Sequence, residues 1–158
     1  RRRQLTEAVG IEPKGGFIEH LFGEISLQDS IFIDEKTGLE VLPLTDNRNT
    51  PRDVFGSRVF DALLEELKQT YDLIIIDTGP ILLMAESRVV ASKVEQVIVA
   101  ARWRSTSRQA LQQTLGVLKE FNANVAGVVL TFVDLRRRRH HNYGNANYKA
   151  YSKYYTTG

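Results

Sequence analysis

One aspartate stands where it could hold a metal ion beside a phosphate group. Asp77 follows four apolar residues, 73–76, and precedes Thr78, Gly79 and Pro80. A carboxylate that closes a buried strand can bind Mg²⁺ directly or through a water molecule, as a Walker B carboxylate does. The same residues also make a good tight turn without any ligand. Asp-Thr-Gly is in addition the aspartic-protease triplet, but those proteases are rich in β-structure, whereas here helical patterns precede and follow it.

A second group that could do chemistry is a cluster of tyrosines near the end of the chain. Five of the six tyrosines lie there, at Tyr143, Tyr148, Tyr151, Tyr154 and Tyr155. Each phosphorylation of a tyrosine adds about −1.5 to −2 charges. Three such events would cancel most or all of the +6 charge of residues 135–158. The cluster is therefore a candidate set of phosphate acceptors, and the alternative is a polar chain end with incidental tyrosines.

The charge of the 158-residue chain is unevenly distributed. Residues 135–158 hold six basic residues and no acidic one, whereas the other 134 residues hold 15 basic against 19 acidic residues. The final segment also lacks Ile, Val and Phe, so it has too little apolar surface to offset the entropy lost on ordering. We expect a globular domain at residues 1–134 and a disordered, basic, tyrosine-rich tail at residues 135–158.

The basic run at residues 136–141 has three interpretations. It could face anionic lipid at a membrane surface, where each cation contributes about 1 kcal/mol. It could bind single-stranded nucleic acid, because aromatic side chains between cations are typical of such sites. A solvated flank of the tail is the simplest interpretation, and we expect no nucleic-acid partner.

Composition excludes several classes of protein. The absence of cysteine excludes a disulfide scaffold, a Cys-based zinc site and a thiol nucleophile. No apolar run approaches the roughly 20 residues needed to span a bilayer. The sole methionine is Met84, which predicts that the chain is part of a longer protein.

The elements that must position Asp77 alternate between strand and helix patterns. Strands are predicted at residues 39–44, 71–77, 96–101 and 125–131, and helices after Ser57, at 85–93 and at 105–121. Ser57 is a good N-cap for the first of these helices. Its apolar residues should share one face: Val59, Phe60, Leu63, Leu64 and Leu67. Strands separated by helices indicate right-handed crossovers and a parallel sheet, so the fold class is α/β. Because residues 73–76 show no polar alternation, we expect strand 71–77 to lie in the middle of the sheet, covered on both faces.

Ligands of such sheets bind beyond the carboxyl ends of the strands. That rule brings Asp77, residues 102–105 and residues 131–134 to one edge. A phosphate-binding loop, Gly-x-x-x-x-Gly-Lys-Ser/Thr, should accompany such a site, yet no glycine precedes any of the seven lysines. Either the protein is not a P-loop NTPase, or the loop lies upstream of residue 1.

The order of these features resembles the C-terminal two-thirds of the cytoplasmic domain of bacterial tyrosine kinases (BY-kinases). These are P-loop autokinases of polysaccharide co-polymerases, related to the partitioning ATPases. The resemblance extends over essentially the whole chain and ends in a tyrosine cluster. Besides residues 71–80, the matching segments are Arg-Arg-Arg-Gln-Leu at 1–5, Gly-Gly-Phe at 15–17, Gly-Glu-Ile-Ser-Leu-Gln-Asp-Ser-Ile at 23–31, Gly-Leu-Glu-Val-Leu-Pro at 38–43, Asn-Thr-Pro at 49–51, Ala-Arg-Trp-Arg-Ser-Thr at 101–106 and Gly-Val-Val-Leu at 127–130.

The resemblance implies that the γ-phosphoryl group of MgATP is transferred to tail tyrosines of a neighbouring subunit. Asp77 is implied to bind Mg²⁺, and Arg1 and Arg2, at the end of the family's second motif, to belong to the catalytic centre. The residues implied to contact ATP or ADP are Thr78, Arg102, Thr131 and Asp134. The acceptors would be the five tail tyrosines.

The resemblance also implies partners and a location. The partners would be further copies of the chain, a transmembrane co-polymerase region and a cognate tyrosine phosphatase, at the cytoplasmic face of the bacterial inner membrane. Three residues depart from the family pattern: Gly79 replaces a proline, Thr131 the asparagine that contacts adenine, and Glu86 an aspartate. The alternatives are therefore a non-catalytic, phosphorylation-regulated scaffold and a partitioning-type ATPase with a basic binding tail.

Overall fold

A computed structural model describes residues 15–44 and 53–134 of the chain. Arg1, Arg2, Pro51 and the tail with its five tyrosines lie outside these ranges. The elements in chain order are α1 (Phe17–Leu21), α2 (Leu27–Ser30), β1 (Phe32–Ile33), β2 (Glu40–Val41), α3 (Arg58–Thr70), α4 (Ala85–Lys93), β3 (Val97–Arg102), α5 (Arg108–Glu120) and β4 (Val125–Thr131).

Serine side chains begin two of the long helices. The Ser57 hydroxyl accepts a hydrogen bond from the backbone N–H of Phe60 at 3.2 Å, so the predicted N-cap of α3 is confirmed. In α5 the equivalent cap is Ser107, whose hydroxyl accepts from Ala110 N–H at 3.0 Å. Helix α5 therefore begins three residues later than the predicted start at Ser105, which lies in the turn after β3.

The end of α5 is fixed by a residue in the left-handed conformation. Asn122 has φ 54°, and its N–H donates to the carbonyl of Lys119 at 3.0 Å. The next N–H, of Ala123, donates to Leu118 O at 2.9 Å. Asparagine tolerates this conformation better than most residues do, so it can close a helix as glycine does. The predicted end near Asn122 is confirmed.

Two small sheets occur in the part of the chain that the structure describes. Strands β3 and β4 are parallel, with Arg102 opposite Thr131 at their carboxyl ends, as predicted for 96–101 and 125–131. Strands β1 and β2 are antiparallel, so strand 39–44 is shorter than predicted and does not extend a parallel sheet. The reason is a short turn between them, in which Gly38 has φ +71° and its N–H donates to Asp34 O at 2.8 Å.

The segment at residues 71–77 differs most from the sequence prediction. Among the described residues no strand forms ladder hydrogen bonds with it. Leu73 and Ile75 are 75% and 80% exposed, whereas Ile74 and Ile76 are half-buried. The prediction of a central strand covered on both faces is therefore wrong for the described structure. An apolar strand becomes central only with neighbours on both sides, and the described ranges supply none.

Two apolar clusters hold the described residues together. The first includes Phe17, Phe60 and Val90, and the second consists of Ala91, Val99 and Leu118. Val90 and Ala91 are consecutive residues of α4 and belong to different clusters, so this helix joins the two clusters. Rings of Phe17, Phe55 and Phe60 pack at centroid distances of 5.3 to 5.7 Å, and each such pair contributes about 0.5–1.5 kcal/mol beyond its burial.

The apolar face predicted for α3 is confirmed in part. Phe60, Leu63 and Leu64 are buried, and Leu67 packs against the first cluster. Val59 was expected on the same face but is 52% exposed, because it lies one residue before Phe60 and about 100° around the helix. Among the helices that the structure describes, none is long and apolar enough to cross a membrane.

A side-chain hydrogen bond ties the end of α3 to the β1–β2 hairpin. The Tyr71 hydroxyl donates to the carboxylate of Glu40. This bond, followed by burial and by the charge of Glu40, raises the pKa of Tyr71 above its ordinary value of 10.0. The contact joins residues 31 positions apart in the chain.

The raised pKa predicts a pH dependence of stability. Because the folded-state pKa of Tyr71 is the higher one, its contribution is complete below the unfolded value near 10 and is lost as pH rises through the folded value. At pH 8 the melting temperature of the wild type should exceed that of Tyr71→Phe. At pH 11 this advantage of the wild type should be smaller or absent. Both proteins keep the five tail tyrosines, so their titration cancels. A difference independent of pH would contradict the role of this bond.

Candidate functional site

The segment that carries Asp77 is anchored on both sides by apolar side chains. Ile76 packs against the first cluster and Ile81 against the second. Between them Asp77 and Thr78 are exposed. No other residue in ranges 15–44 and 53–134 forms a hydrogen bond or ion pair with the Asp77 carboxylate. The carboxylate is thus held at a defined place with its oxygens open to a ligand.

A compact turn follows Asp77 and Thr78. The carbonyl of Pro80 accepts hydrogen bonds from the N–H groups of Leu83 and Met84, both at 3.0 Å. A β-carbon added at Gly79 would collide with the sulfur of Met84. Glycine therefore replaces the family's proline at a position where the Met84 side chain folds against the backbone.

The carboxyl ends of β3 and β4 form the second part of the predicted edge. Arg102 and Thr131 are opposite each other in the parallel pair. The N–H of Trp103 donates to Thr131 O at 3.0 Å, and the Thr131 hydroxyl lies 3.5 Å from Ala101 O. The backbone N–H of Arg102 donates to the hydroxyl of Thr106 at 2.9 Å. These bonds fix the loop after β3 to the end of β4.

An aromatic ring lies beneath the Arg102 guanidinium. The guanidinium carbon is 4.6 Å from the ring centroid of Phe132, which is 77% exposed. Both Phe132 and Arg104 have positive φ, 56° and 59°. Bulky residues rarely adopt this conformation, and such strain concentrates at functional sites. An exposed cation over an aromatic face, next to a hydroxyl, can bind a planar or anionic group such as a nucleotide.

The structure brings only some of the predicted site residues together. Arg102 and Thr131 are neighbours, and Asp134 lies three residues beyond Thr131 and is half-buried. No hydrogen bond or ion pair within the described ranges links Asp77 or Thr78 to Arg102. Arg1, Arg2 and the tyrosine cluster lie outside those ranges, so their assigned roles stay predictions.

One open cavity lies away from these residues. It has a volume of about 440 Å³ and is lined by Asp53, Phe55, Ala85, Glu86 and Val89. It contains neither Asp77 nor Arg102. Glu86, which replaces the family's aspartate, thus lines this cavity at the first turn of α4.

The Asp77 carboxylate is of the type that could hold a magnesium ion brought by a phosphate-bearing ligand. The described residues hold no group of three or more acidic or histidine side chains that could bind a metal. Mg²⁺ is usually bound by one or two carboxylates together with substrate phosphates, rather than by an all-protein cage. A single exposed carboxylate suits that arrangement, and Asp77 is the residue that would hold the ion.

Two side chains of this region were missed by the sequence analysis. Phe132 could have been noticed as an aromatic residue directly after a strand end, although its positive φ has no sequence signal. Arg88 donates hydrogen bonds to the carbonyls of Ile81 and Leu82, at 2.9 and 3.0 Å. An arginine near a helix start gives no hint of such partners.

Known proteins of similar sequence are bacterial kinases and polysaccharide proteins. The tyrosine-protein kinase ptk of Acinetobacter johnsonii is 28% identical over 137 residues, which cover 87% of this chain and 18% of the kinase. The succinoglycan biosynthesis transport protein ExoP of Rhizobium meliloti (strain 1021) is 24% identical over 138 residues, 85% of this chain and 18% of ExoP. No family model matches the chain.

A solved structure agrees with the sequence relatives. The kinase domain of the Escherichia coli tyrosine kinase ETK superimposes with a TM-score of 0.81 at 25% identity, covering 92% of this chain and 57% of that domain. The chain spans about a fifth of the length of ptk and of ExoP. The similarity to bacterial tyrosine kinases and exopolysaccharide proteins that the ordered motifs predicted is confirmed, and the fold is that of the P-loop-type kinase domains of such proteins.

Proposed function

We propose that the chain is part of an ATP-dependent protein-tyrosine autokinase that regulates capsular or exopolysaccharide synthesis and export. The observation that carries the proposal is the similarity to tyrosine kinases over 82–96% of this chain. The open Asp77 carboxylate and the Arg102–Thr131 edge supply groups that the reaction needs. On this proposal residues 1–134 are the C-terminal part of the kinase domain and residues 135–158 its substrate tail.

The exposed apolar surface supports the assignment to a larger kinase domain. Leu73, Ile75 and Ile98 are each at least 67% exposed, and Val129 is 50% exposed. Soluble proteins rarely leave that much apolar surface uncovered without a partner. The kinase domain of ETK extends well beyond the 57% that this chain covers. The rest of such a domain would supply strands beside residues 71–77 and the phosphate-binding loop that the sequence lacks.

The reaction is a transfer of the γ-phosphoryl group from ATP to a tyrosine of another subunit. A bond forms between the tyrosine oxygen and the γ-phosphorus, the bond to the β-phosphate oxygen breaks, and ADP leaves while the phenolic proton is released to a base. Catalysis of this kind is positioning and charge stabilisation. Asp77 would hold the metal, Thr78 and Arg102 would contact the nucleotide, and Thr131 and Asp134 would shape its site.

The proposal includes partners and a location. Phosphorylation between subunits requires a homo-oligomer, and control of polymer export requires a transmembrane co-polymerase region, fused or separate. A cognate tyrosine phosphatase would reverse the modification. The kinase domain would work in the cytoplasm at the inner face of the bacterial inner membrane, where the basic residues 136–141 could meet anionic lipid.

A kinase assay on the intact protein tests the proposal, with the 158-residue chain as the comparison. The intact protein should bind MgATP by calorimetry and form phosphotyrosine. The 158-residue chain alone should show no micromolar binding and no phosphotyrosine, because the glycine-rich loop and its lysine make most contacts to the β- and γ-phosphates.

Each outcome has a clear meaning. An intact protein that binds MgATP but forms no phosphotyrosine would favour the partitioning-type ATPase. An intact protein that does neither would favour the non-catalytic scaffold. Tight, magnesium-dependent binding by the 158-residue chain would mean that the phosphate site is assigned to the wrong residues.

A further inference from the structure

The turn after Asp77 is bound by a single arginine from the following helix. The Arg88 side chain donates from Nε to the carbonyl of Ile81 at 2.9 Å and from Nη2 to the carbonyl of Leu82 at 3.0 Å. Both carbonyls lie in the turn at residues 80–84, and Arg88 is half-buried. The planar guanidinium thus binds two successive backbone groups at once, which a flexible ammonium group does less well.

The position of Arg88 makes this contact informative. It is the fourth residue of α4, and side chains in a helix lean towards its N-terminus. A cation there is disfavoured by the helix dipole. Met84, at the N-cap, makes no side-chain capping bond. The presence of an arginine in this place is therefore better explained by the carbonyls it binds than by support of the helix end.

Arg88 is the third contact, after Ile76 and Ile81, that fixes the segment on which Asp77 lies. Ile76 fixes the chain just before Asp77, and Ile81 fixes it four residues after. Between them lie Thr78, the flexible Gly79 and Pro80. Without Arg88 the carbonyls of Ile81 and Leu82 lose a charged donor. Among the described residues 53–134, the backbone hydrogen bonds that then remain within the turn are the two to the Pro80 carbonyl.

We propose that Arg88 is a positioning residue that holds the turn at residues 80–84 and thereby sets the place of the Asp77 carboxylate for binding Mg²⁺. This inference rests on the proposed kinase function. Residues that orient a metal ligand typically change metal affinity or activity by about 10- to 100-fold when they are replaced. The predicted signature is therefore a change in magnesium dependence, which a purely structural role would not produce.

The test measures autophosphorylation by the intact protein against magnesium concentration, at saturating ATP. Arg88→Gln should raise the magnesium concentration for half-maximal rate about tenfold or more. Excess magnesium should recover part of the rate. Arg88→Lys keeps the positive charge but loses the planar pair of N–H donors, so it should raise the half-maximal magnesium concentration less than Arg88→Gln does. Ser57→Ala is the matched control, since loss of that cap lowers stability away from the turn and should leave the magnesium dependence unchanged.

Hydrogen exchange provides a second measurement that needs no activity. The amides of Leu83 and Met84 should exchange faster in Arg88→Gln than in the wild type or Ser57→Ala. If the wild type forms no phosphotyrosine, the kinase proposal fails, while the exchange rates still test whether Arg88 holds the turn at residues 80–84. If Arg88→Gln and Ser57→Ala have the same magnesium dependence, or if Arg88→Gln leaves both amides protected, the positioning role is overturned.

Discussion

Asp77→Asn is expected to lower tyrosine autophosphorylation by the intact protein about a hundredfold or more, while the melting temperature stays the same. The loss has an electrostatic cause. Asparagine keeps the shape of the side chain but removes the charge that holds Mg²⁺, and single groups that stabilise transition-state charge are typically worth 10²–10³ in rate. The stability of the fold should not change, because the carboxylate is exposed and makes no hydrogen bond or ion pair with the described residues.

Asp72→Asn is the matched control for this change. Asp72 is also exposed and lies at the other end of the same segment, so its replacement removes an equal charge five residues away. We expect its rate to stay within about threefold of the wild type. A similarly small effect of Asp77→Asn would be incompatible with a metal ligand, since each tenfold in rate corresponds to about 1.4 kcal/mol of barrier. Asp77 would then be a turn residue only.

Local signals in the sequence were sufficient to predict the long helices. The cap at Ser57, the whole of α4 and the end of α5 near Asn122 depend on bonds to residues only a few positions away. Hydrophobic periodicity and capping chemistry describe interactions at that range. The pairing of β3 with β4 was also predictable, because a helix between two apolar runs indicates a parallel crossover.

The errors arose where the structure depends on residues far away in the sequence or on neighbours that the described ranges do not contain. Four successive apolar residues at 73–76 predicted a central strand, but the strand needs partners that the described residues do not contain. The β1–β2 hairpin was missed because its two-residue strands are too short to produce a pattern. The Phe132 backbone and the Arg88 contacts depend on the folded arrangement, so no spacing rule could reveal them.

The second large effect concerns the tail, whose five tyrosines should receive nearly all of the phosphate and should receive it from a neighbouring subunit. As a sequence, residues 135–158 have too little apolar content to pack. On the expectation from the sequence that this segment is disordered, a chain of that length would have a root-mean-square span of roughly 25–30 Å, enough to reach an adjacent subunit. Replacing all five tyrosines with phenylalanine should therefore remove almost all phosphotyrosine.

Tyr71 is the internal reference for this prediction. Its hydroxyl donates to Glu40 and its ring is half-buried. A phosphate there would lose that bond and bring two negative groups together. Tyr71→Phe should therefore leave the amount of phosphotyrosine unchanged, whereas replacement of the five tail tyrosines should not.

Mixing two defective proteins separates transfer between subunits from transfer within one. An intact kinase lacking residues 135–158 supplies the active site, and an intact Asp77→Asn protein supplies the tail. Mass spectrometry of the Asp77→Asn protein should find phosphate on several positions from Tyr143 to Tyr155. Because that protein has no activity of its own, this phosphate must come from the tail-deleted kinase. Labelling confined to Tyr71 or to other residues before 135 would mean that the cluster is not the acceptor. The basic tail would then be better explained by binding to an anionic surface, because six cations without an acid favour that partner as long as the tyrosines carry no phosphate.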